Sequence, residues 1–197
     1  MMDERTTLDD AIGARVKNLR QQGGWTLDAL ATRSGVSRAM ISRIERAEAS
    51  PTATLLARLC GALDVSLSVF FATTDMASPS PLIRRSEQPV WSDPQTGYRR
   101  RSVSPPGMPS RIDLVEVEFP AGARVSLPPL GLETGMTQHV WLLDGVLEVT
   151  AGETVHALQP GDCLYMSIGA AHGFFNPGDR PARYAVVLDR GLPRKPT

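Results

Sequence analysis

The run TLDALATRSGVSRAMISRIE, residues 26–45, decides how the first third of the chain is read. Thr26 and Ser37 each place a hydroxyl just before an apolar-periodic segment. A hydroxyl there accepts a hydrogen bond from a backbone N–H in the first turn, so both residues mark helix starts. Leu27, Leu30 and Ala31 follow the first cap, and Ile41 and Ile44 follow the second. Gly35-Val36 supplies the turn between them. Two short helices joined by a glycine-containing turn form a helix-turn-helix pattern. Small residues are expected where the helices cross, here Ala31 and Gly35. With Ile41 and Ile44 turned inward, Arg38, Ala39, Ser42 and Arg43 stay on the outer face, the side that meets base edges in such a unit.

Working outward, Ile12, Val16 and Leu19 recur at helical spacing, with Thr7 as the expected N-cap and Gly23-Gly24 as the stop. After Ser50-Pro51, the apolar positions Leu55, Leu56, Leu59, Cys60 and Leu63 predict a fourth helix. Leu67, Phe70 and Phe71 predict a short fifth that closes the core. The helical domain is expected over residues 7–73. Residues 74–110 are rich in Pro, Ser and Arg and read as linker and lead-in. On that reading Arg84, Arg85 and the run Arg99–Arg101 are solvated charge, the alternative being that they follow the phosphate backbone and steepen salt dependence.

Residues 111–190 change character. IDLVEVEF (112–119), HVWLL (139–143), VLEVT (146–150), AGETVHAL (151–158), CLYMSI (163–168), HGFFN (172–176) and ARYAVVLDR (182–190) read as short strands between Gly, Pro and Asp turns. Asp144-Gly145 suits a type I′ hairpin turn. Many short antiparallel strands imply a barrel or sandwich.

Composition bounds the function classes. No stretch approaches the roughly 20 apolar residues that a membrane span needs. MMDERTTLDD is acidic and polar, unlike a secretory leader. Cys60 and Cys163 each fall in an apolar run, which predicts two reduced core thiols and a cytoplasmic location. The net charge of +0 hides a local pattern. Between residues 33 and 46 the chain carries Arg33, Arg38, Arg43 and Arg46 against Glu45, while from Arg111 onward 10 acidic residues outnumber 7 basic ones. The field over one face, not the sum, governs phosphate contact.

The run RVKNLRQQGGWTLDALATRSGVSRAMISRIERAEASPTATLLARL, residues 15–59, resembles the phage-repressor-like helix-turn-helix of the xenobiotic-response-element (XRE) regulators, and the likeness extends over about residues 8–72. The resemblance implies base contacts from Arg38, Ala39 and Arg43 with Ser42 beside them, and an interhelix ion pair between Arg20 and Glu45. Where that family often has Gln to hold a phosphate, this chain has Leu27, so the contact is expected to move to the Thr26 hydroxyl or a backbone N–H. Ser37 caps the helix that enters the groove.

The strand-rich half resembles a cupin, a double-stranded β-helix. Gly161, Gly169, His172 and Asn176 match its second motif, with Ser167 where Pro is usual. The first motif is degraded: the metal-binding Glu position falls on Gln138, and the His-x-His pair would fall in GLET, residues 131–134. Of four implied metal ligands only His172 is in place. His139, with Glu133 nearby, could substitute only if a bulge reversed the strand, because His139 and Gln138 point to opposite faces. No metal and no cofactor are therefore expected. Gln138, Val140 and Leu142 share one strand face and Cys163, Tyr165 and Ser167 share another, and the sequence leaves open which faces point inward. Gln138, Tyr165 and His172 are the expected lining of an effector pocket.

Together these readings predict a multidomain α + β protein: an N-terminal five-helix repressor-like bundle and a C-terminal cupin jelly-roll barrel. The expected function is sequence-specific regulation of transcription, with no enzyme activity. The expected partners are a double-stranded DNA operator, a small-molecule effector and a second copy of the chain in a homodimer. The alternatives are a non-heme-iron cupin enzyme and an antitoxin-like protein-interaction module.

Overall fold

Five helices open the chain: α1 Glu4–Gln22, α2 Leu27–Ser34, α3 Arg38–Glu45, α4 Ala53–Ala62 and α5 Leu67–Phe71. This computed structural model describes residues 4–71, 80–129 and 135–191. Helix α1 begins at Glu4, so Thr7 lies inside it instead of capping it. No Gly or Pro interrupts residues 4–12, and a nucleated helix propagates cheaply through such a run. Ile12, Val16, Leu30, Ile41, Ile44, Leu56 and Leu59 are buried and form the core of the bundle. Among the described residues no helix is long and apolar enough to cross a membrane.

Two glycines do different work here. Gly35 sits at φ 65° and its N–H donates to the Ala31 carbonyl at 2.9 Å, closing α2. A β-carbon at Gly35 would meet nothing within 4 Å, so its role is the left-handed conformation and not the close helix approach expected for it. The close approach is at Gly13, where a β-carbon would stand 2.4 Å from the Ile44 carbonyl oxygen. Helix α1 can therefore lie against α3 only because position 13 lacks a side chain.

An ion pair at the C-terminal end of α3 clamps the same two helices. The Nε and Nη2 atoms of Arg20 donate to Oε1 and Oε2 of Glu45 at 2.6 and 2.7 Å, while Nη1 donates to the Trp25 carbonyl at 2.8 Å. Hydrogen bonding to Glu45 raises the guanidinium pKa above its ordinary value. One side chain thus ties together α1, the end of α3 and the turn that leads into α2.

The strands are β1 Val90–Ser92, β2 Arg99–Ser102, β3 Ile112–Phe119, β4 Arg124–Leu127, β5 Thr137–Asp144, β6 Leu147–Ala151, β7 Thr154–Leu158, β8 Cys163–Ser167, β9 His172–Phe175 and β10 Ala182–Asp189. They form two antiparallel sheets in the orders β1-β2-β3-β10-β5-β8 and β4-β9-β6-β7. Val115, Val117, Val140, Leu142, Val149 and Phe174 are buried as part of the core. Asn176 ties the connections at one end: its Nδ2 reaches the carbonyls of Phe119, Pro120 and Arg180, and its Oδ1 accepts from the Gly178 N–H at 2.9 Å.

The sheet starts earlier than residue 111. Residues expected as linker contain a 3₁₀ turn, Arg85–Glu87, and the hairpin β1–β2, which extends the six-stranded sheet. The arginine run is accordingly a strand and not solvated linker charge. Arg99 pairs with Glu118 at 3.3 Å, Arg101 pairs with Glu116, and Arg100 turns inward at 5% exposure. Cross-strand acids on β3 neutralise the outward arginines, which is what lets three cations in a row pair into a sheet.

Asp144-Gly145 does not make a hairpin. Strand β5 pairs with β8 and β10, whereas β6 pairs with β7 and β9. The turn is a corner between sheets. Gly145 has φ 84° and packs under Ala182, whose Cα would lie 2.8 Å from an added β-carbon, while Arg180 holds Asp144 through two contacts of 2.9 and 3.0 Å. A local turn preference was overridden by the need to carry the chain across the barrel.

The two halves meet through α4 and α5. Asp93, in the β1–β2 connection, is buried, and its Oδ1 accepts from the Ala53 N–H at 2.9 Å, in the first turn of α4. The Thr54 hydroxyl reaches the Ser126 carbonyl at 3.3 Å. Phe71 packs on Trp91 with ring centroids 5.5 Å apart.

Two substitutions check this architecture. Gly13→Ala gains about 1 kcal/mol of helix propensity, but the overpacking against a backbone oxygen costs about 1–3 kcal/mol. A lowered melting temperature is expected, and a raised one would refute the close approach. Glu45→Ala strands the largely buried Arg20 and is expected to destabilise by about 3 kcal/mol, read from chemical denaturation, with Glu45→Gln costing less.

Candidate functional site

Helix α3 presents Ser37, Arg38, Ala39 and Arg43 to solvent, with Ser42 half-buried beside them. The Ser37 hydroxyl accepts from the Met40 N–H at 3.3 Å and the Thr26 hydroxyl from the Ala29 N–H at 3.1 Å. Both caps are exposed, so each helix starts at the surface, where backbone N–H groups favour anions. Leu27 is half-buried against the core, so packing explains its presence where a polar residue was expected. The exposed Thr26 oxygen accepts within the helix and keeps its hydrogen to donate.

The arginines on this face have partners within the chain. Arg38 lies 3.3 Å from Asp28, Arg43 donates to the Glu48 carbonyl at 3.4 Å, and Arg46 bridges the Ser42 hydroxyl at 2.5 Å and Glu48 at 2.7 Å. Exposed ion pairs of this kind are worth about 0–1 kcal/mol. A bidentate arginine–guanine contact is worth about 1–3 kcal/mol, so a base edge can win the competition. Helix α3 packs on α1 and α2, and the barrel is met by α4 and α5. The arginine face stays open.

The second candidate site is a cavity of about 80 Å³ between barrel and bundle. Gln138, His172, Tyr98, Arg100 and Tyr184 line it with polar groups, Val115, Val117, Val125 and Phe174 with apolar ones, and Ala57, Cys60, Ser66 and Leu67 close it from the helical side. The cavity thus belongs to both halves of the chain. Gln138 is buried, and its Nε2 finds no hydrogen-bond partner. An unmet buried amide costs about 1–3 kcal/mol, a cost that a bound group with an acceptor would relieve. His172 is buried and its Nδ1 lies 3.2 Å from the Ala170 carbonyl. A carbonyl only accepts, so Nδ1 carries the proton and Nε2 of the neutral ring is an acceptor. Burial holds the imidazole pKa below its usual 6.5.

Of the three residues expected in the pocket, Gln138 and His172 line the cavity and Tyr165 does not. Tyr165 is 60% exposed on the outer face and packs on His139, with ring centroids 5.1 Å apart. Alternation along β8 explains the correction: Met166, opposite Gln138, takes the inward position, so Cys163, Tyr165 and Ser167 point out. Cys163 is exposed for the same reason and is not the core thiol it was expected to be. Cys60 is buried, and burial pushes its thiol pKa up. Ser167 accepts from the Gly169 N–H at 3.2 Å, so its hydroxyl shapes the turn.

Glu133 and residues 131–134 lie outside the described residues. Among the described residues no three His, Cys, Asp or Glu side chains come together as metal ligands. One imidazole beside a neutral amide does not fit iron, whose facial site takes two imidazoles and a carboxylate.

Arg100 and Tyr98 were missed in the sequence, although both are buried at the cavity wall. The signal was strand alternation within Arg99-Arg100-Arg101, which the Pro- and Ser-rich surroundings masked. From the cavity a chain of ring contacts runs His172–Phe174–Tyr184–Phe119–Tyr98–Trp91–Phe71–Phe70, with centroid spacings of 5.3–6.2 Å. It ends in α5.

Residues 16–70 match the helix-turn-helix family and residues 115–188 match the cupin domain family. The chain is a transcriptional regulator that joins an XRE-type helix-turn-helix to a cupin domain. It is similar to the HTH-type transcriptional regulator SutR of Escherichia coli (strain K12), at 28% identity over 177 residues, 90% of this chain and 93% of that protein. The crystal structure of an HTH_3 family transcriptional regulator from Vibrio cholerae is 27% identical and superposes with a TM-score of 0.76 over 96% of this chain and 99% of that one.

His172 makes stability pH-dependent. Its folded pKa lies below 6.5, so as pH falls through about 6.5 the unfolded chain takes up a proton that the folded chain refuses. The melting temperature is expected to drop between about pH 7 and pH 5, and His172→Gln to flatten that slope. An unchanged slope in the variant would place the titration elsewhere.

Proposed function

We propose that this regulator binds a twofold-symmetric DNA operator as a homodimer in the cytoplasm, and that a small molecule in the interdomain cavity modulates its affinity. The observation that carries the reading is the open α3 face with Arg38 and Arg43 exposed at its surface. Arg38, Ala39, Ser42 and Arg43 read base edges. Thr26, Ser37 and the helix N-termini hold phosphates.

The homodimer is supported by the outer face of the six-stranded sheet. Leu114, Val187, His139 and Tyr165 lie side by side in one cross-strand row, and Trp141, 47% exposed, lies beside them. Two barrels joined through this face would hold two recognition helices for successive major grooves, about 34 Å apart. Ligand modulation is supported by the shared walls of the cavity. A molecule touching Leu67 and Ser66 on one side and Tyr98 and His172 on the other stabilises one docking angle of bundle on barrel. It shifts operator affinity only as far as it binds two docking arrangements unequally. The donors around Gln138 and His172 suit binding and not iron-dependent oxidation, so the cupin half acts as a sensor.

Selection of duplexes from a random-sequence library at low salt tests this reading. Enrichment of an inverted repeat is expected, with Arg38→Ala and Arg43→Ala each relaxing preference at their own base pairs by about 1–3 kcal/mol, roughly 5- to 150-fold. Failure to retain any duplex would overturn the regulator reading. An enriched site without twofold symmetry would remove the dimer, and unaltered preferences in both variants would remove the residue assignment.

A further inference from the structure

We infer that the groove between α1, α5 and the segment leading into β3 binds an amphipathic monocarboxylate, its acid head on Arg15 and its apolar body along the facing prolines and Phe71. The site is separate from the cavity at Gln138 and His172, and it stands whether or not that cavity takes a ligand.

The groove has a volume of about 570 Å³. Arg15, Val69 and Phe71 wall it from the helical side, and residues between Pro81 and Val115, with Arg190, wall it from the other. Val115 is the one lining residue it has in common with the cavity. Sites for small organic molecules run to about 300–1,000 Å³, so the groove is of ligand size. It has room for on the order of 15 heavy atoms.

Unmet polar atoms converge on this place. Among the described residues four buried side-chain nitrogen or oxygen atoms lack a hydrogen-bond partner, and three of them, Arg15 Nε, Asp113 Oδ2 and Arg190 Nε, belong to residues lining the groove. Such atoms are uncommon in folded proteins, and a bound molecule is one of the things that satisfies them. Arg15 is the cation with charge to spare. Its Nη2 reaches the Val69 carbonyl at 3.5 Å, the long end of a hydrogen bond, and no carboxylate among the described residues lies within ion-pair distance of it. Asp113, the acid on the groove wall, is already engaged: Arg190 Nε lies 3.3 Å from its Oδ2, and the charge of Arg100 acts on it as well.

The rest of the wall leaves little for a second polar group to grip. Ser104 Oγ accepts from the Leu114 N–H at 2.7 Å, Ser110 Oγ from the Ile112 N–H at 3.0 Å and Ser102 Oγ from Arg100 Nη1 at 3.5 Å. Val69, Ile83, Pro89, Pro105, Pro106 and Met108 are each half-buried, apolar surface left part-open to water that a hydrocarbon body covers favourably. One spare cation against an apolar wall calls for one negative charge on an apolar body. A carboxylate meets a guanidinium through two parallel hydrogen bonds, and a second charge on the ligand would find no partner. Arg15 also lies close along α1 to Gly13, which packs against the Ile44 carbonyl, so the head group sits on the helix that supports α3.

Isothermal titration of the full-length protein decides the matter, with 4-phenylbutyrate and octanoate, their neutral amides, acetate and inorganic phosphate as probes. The two long acids are expected to bind, their amides at least about tenfold more weakly, and acetate and phosphate not measurably at the same concentrations. Arg15→Met is expected to bring 4-phenylbutyrate down to the level of its amide, and Arg15→Lys to keep part of the affinity. Met108→Glu, which sets an acid on the apolar wall, is expected to weaken both acids about fivefold or more. Gln138→Leu, in the other cavity, is expected to leave them unchanged. Circular dichroism checks that each variant is folded, and should Arg15→Met fail to fold, Met108→Glu and the contrast of acid with amide decide. Amides binding as well as acids, acetate or phosphate binding as well as the long acids, no acid binding at millimolar concentration, or folded Arg15→Met binding undiminished would each overturn the inference. Loss of acid binding in Gln138→Leu with Arg15→Met unaffected would also overturn it, by moving the acids to the cavity and leaving the ligand-sensing reading in place.

Discussion

The fold of this protein turns on one buried junction, where the Asp93 carboxylate accepts from the first turn of α4 and the Phe71 ring lies against Trp91. The N-terminus of a helix carries unpaired N–H groups and a partial positive charge, so it is costly to bury without an acceptor. Asp93 supplies that acceptor from the other domain. The barrel thereby completes the helical domain, and α4 and α5 complete the barrel by closing its cavity with Ala57, Cys60, Ser66 and Leu67. A molecule bound there touches both halves at once, which no site confined to either domain could do.

Charge is sorted by the same geometry. Arginines in three different environments have three different consequences. Arg20 is clamped by Glu45 and serves structure. Arg38 and Arg43 sit in weak surface contacts that a nucleic acid can displace. Arg100 is folded inward among the residues that line the interdomain cavity. The zero net charge of the chain conceals this division, because affinity for an anion follows the local field and the local solvation and not the total.

Much of the helical domain was legible along the chain. Thr26, Gly35 and Ser37 act at short range, through hydrogen bonds to backbone three or four residues away, so their spacing announces α2 and α3 directly. The cupin half was legible as strands and turns but not in its pairing. Asp144-Gly145 carries the sequence preference of a hairpin, yet it became a corner because its flanking strands find partners far away in the chain. Arg99–Arg101 looked like linker because the acids that make it a strand, Glu116 and Glu118, lie elsewhere in the sequence.

By itself the sequence determined the helix-turn-helix unit, its outward arginines and the strand-rich second half, since these depend on periodicity, caps and turns that neighbouring residues settle among themselves, whereas the Arg20–Glu45 pair was implied only by the family resemblance. The tertiary structure alone decided which strand faces point inward, sending Gln138 and His172 to the cavity and Tyr165 and Cys163 to the surface. It alone brought Arg100 beside them and set Asp93 on α4. Alternation makes the two faces of a strand distinct without saying which is inside. Only the packing of one sheet on another, and of the bundle on both, breaks that symmetry.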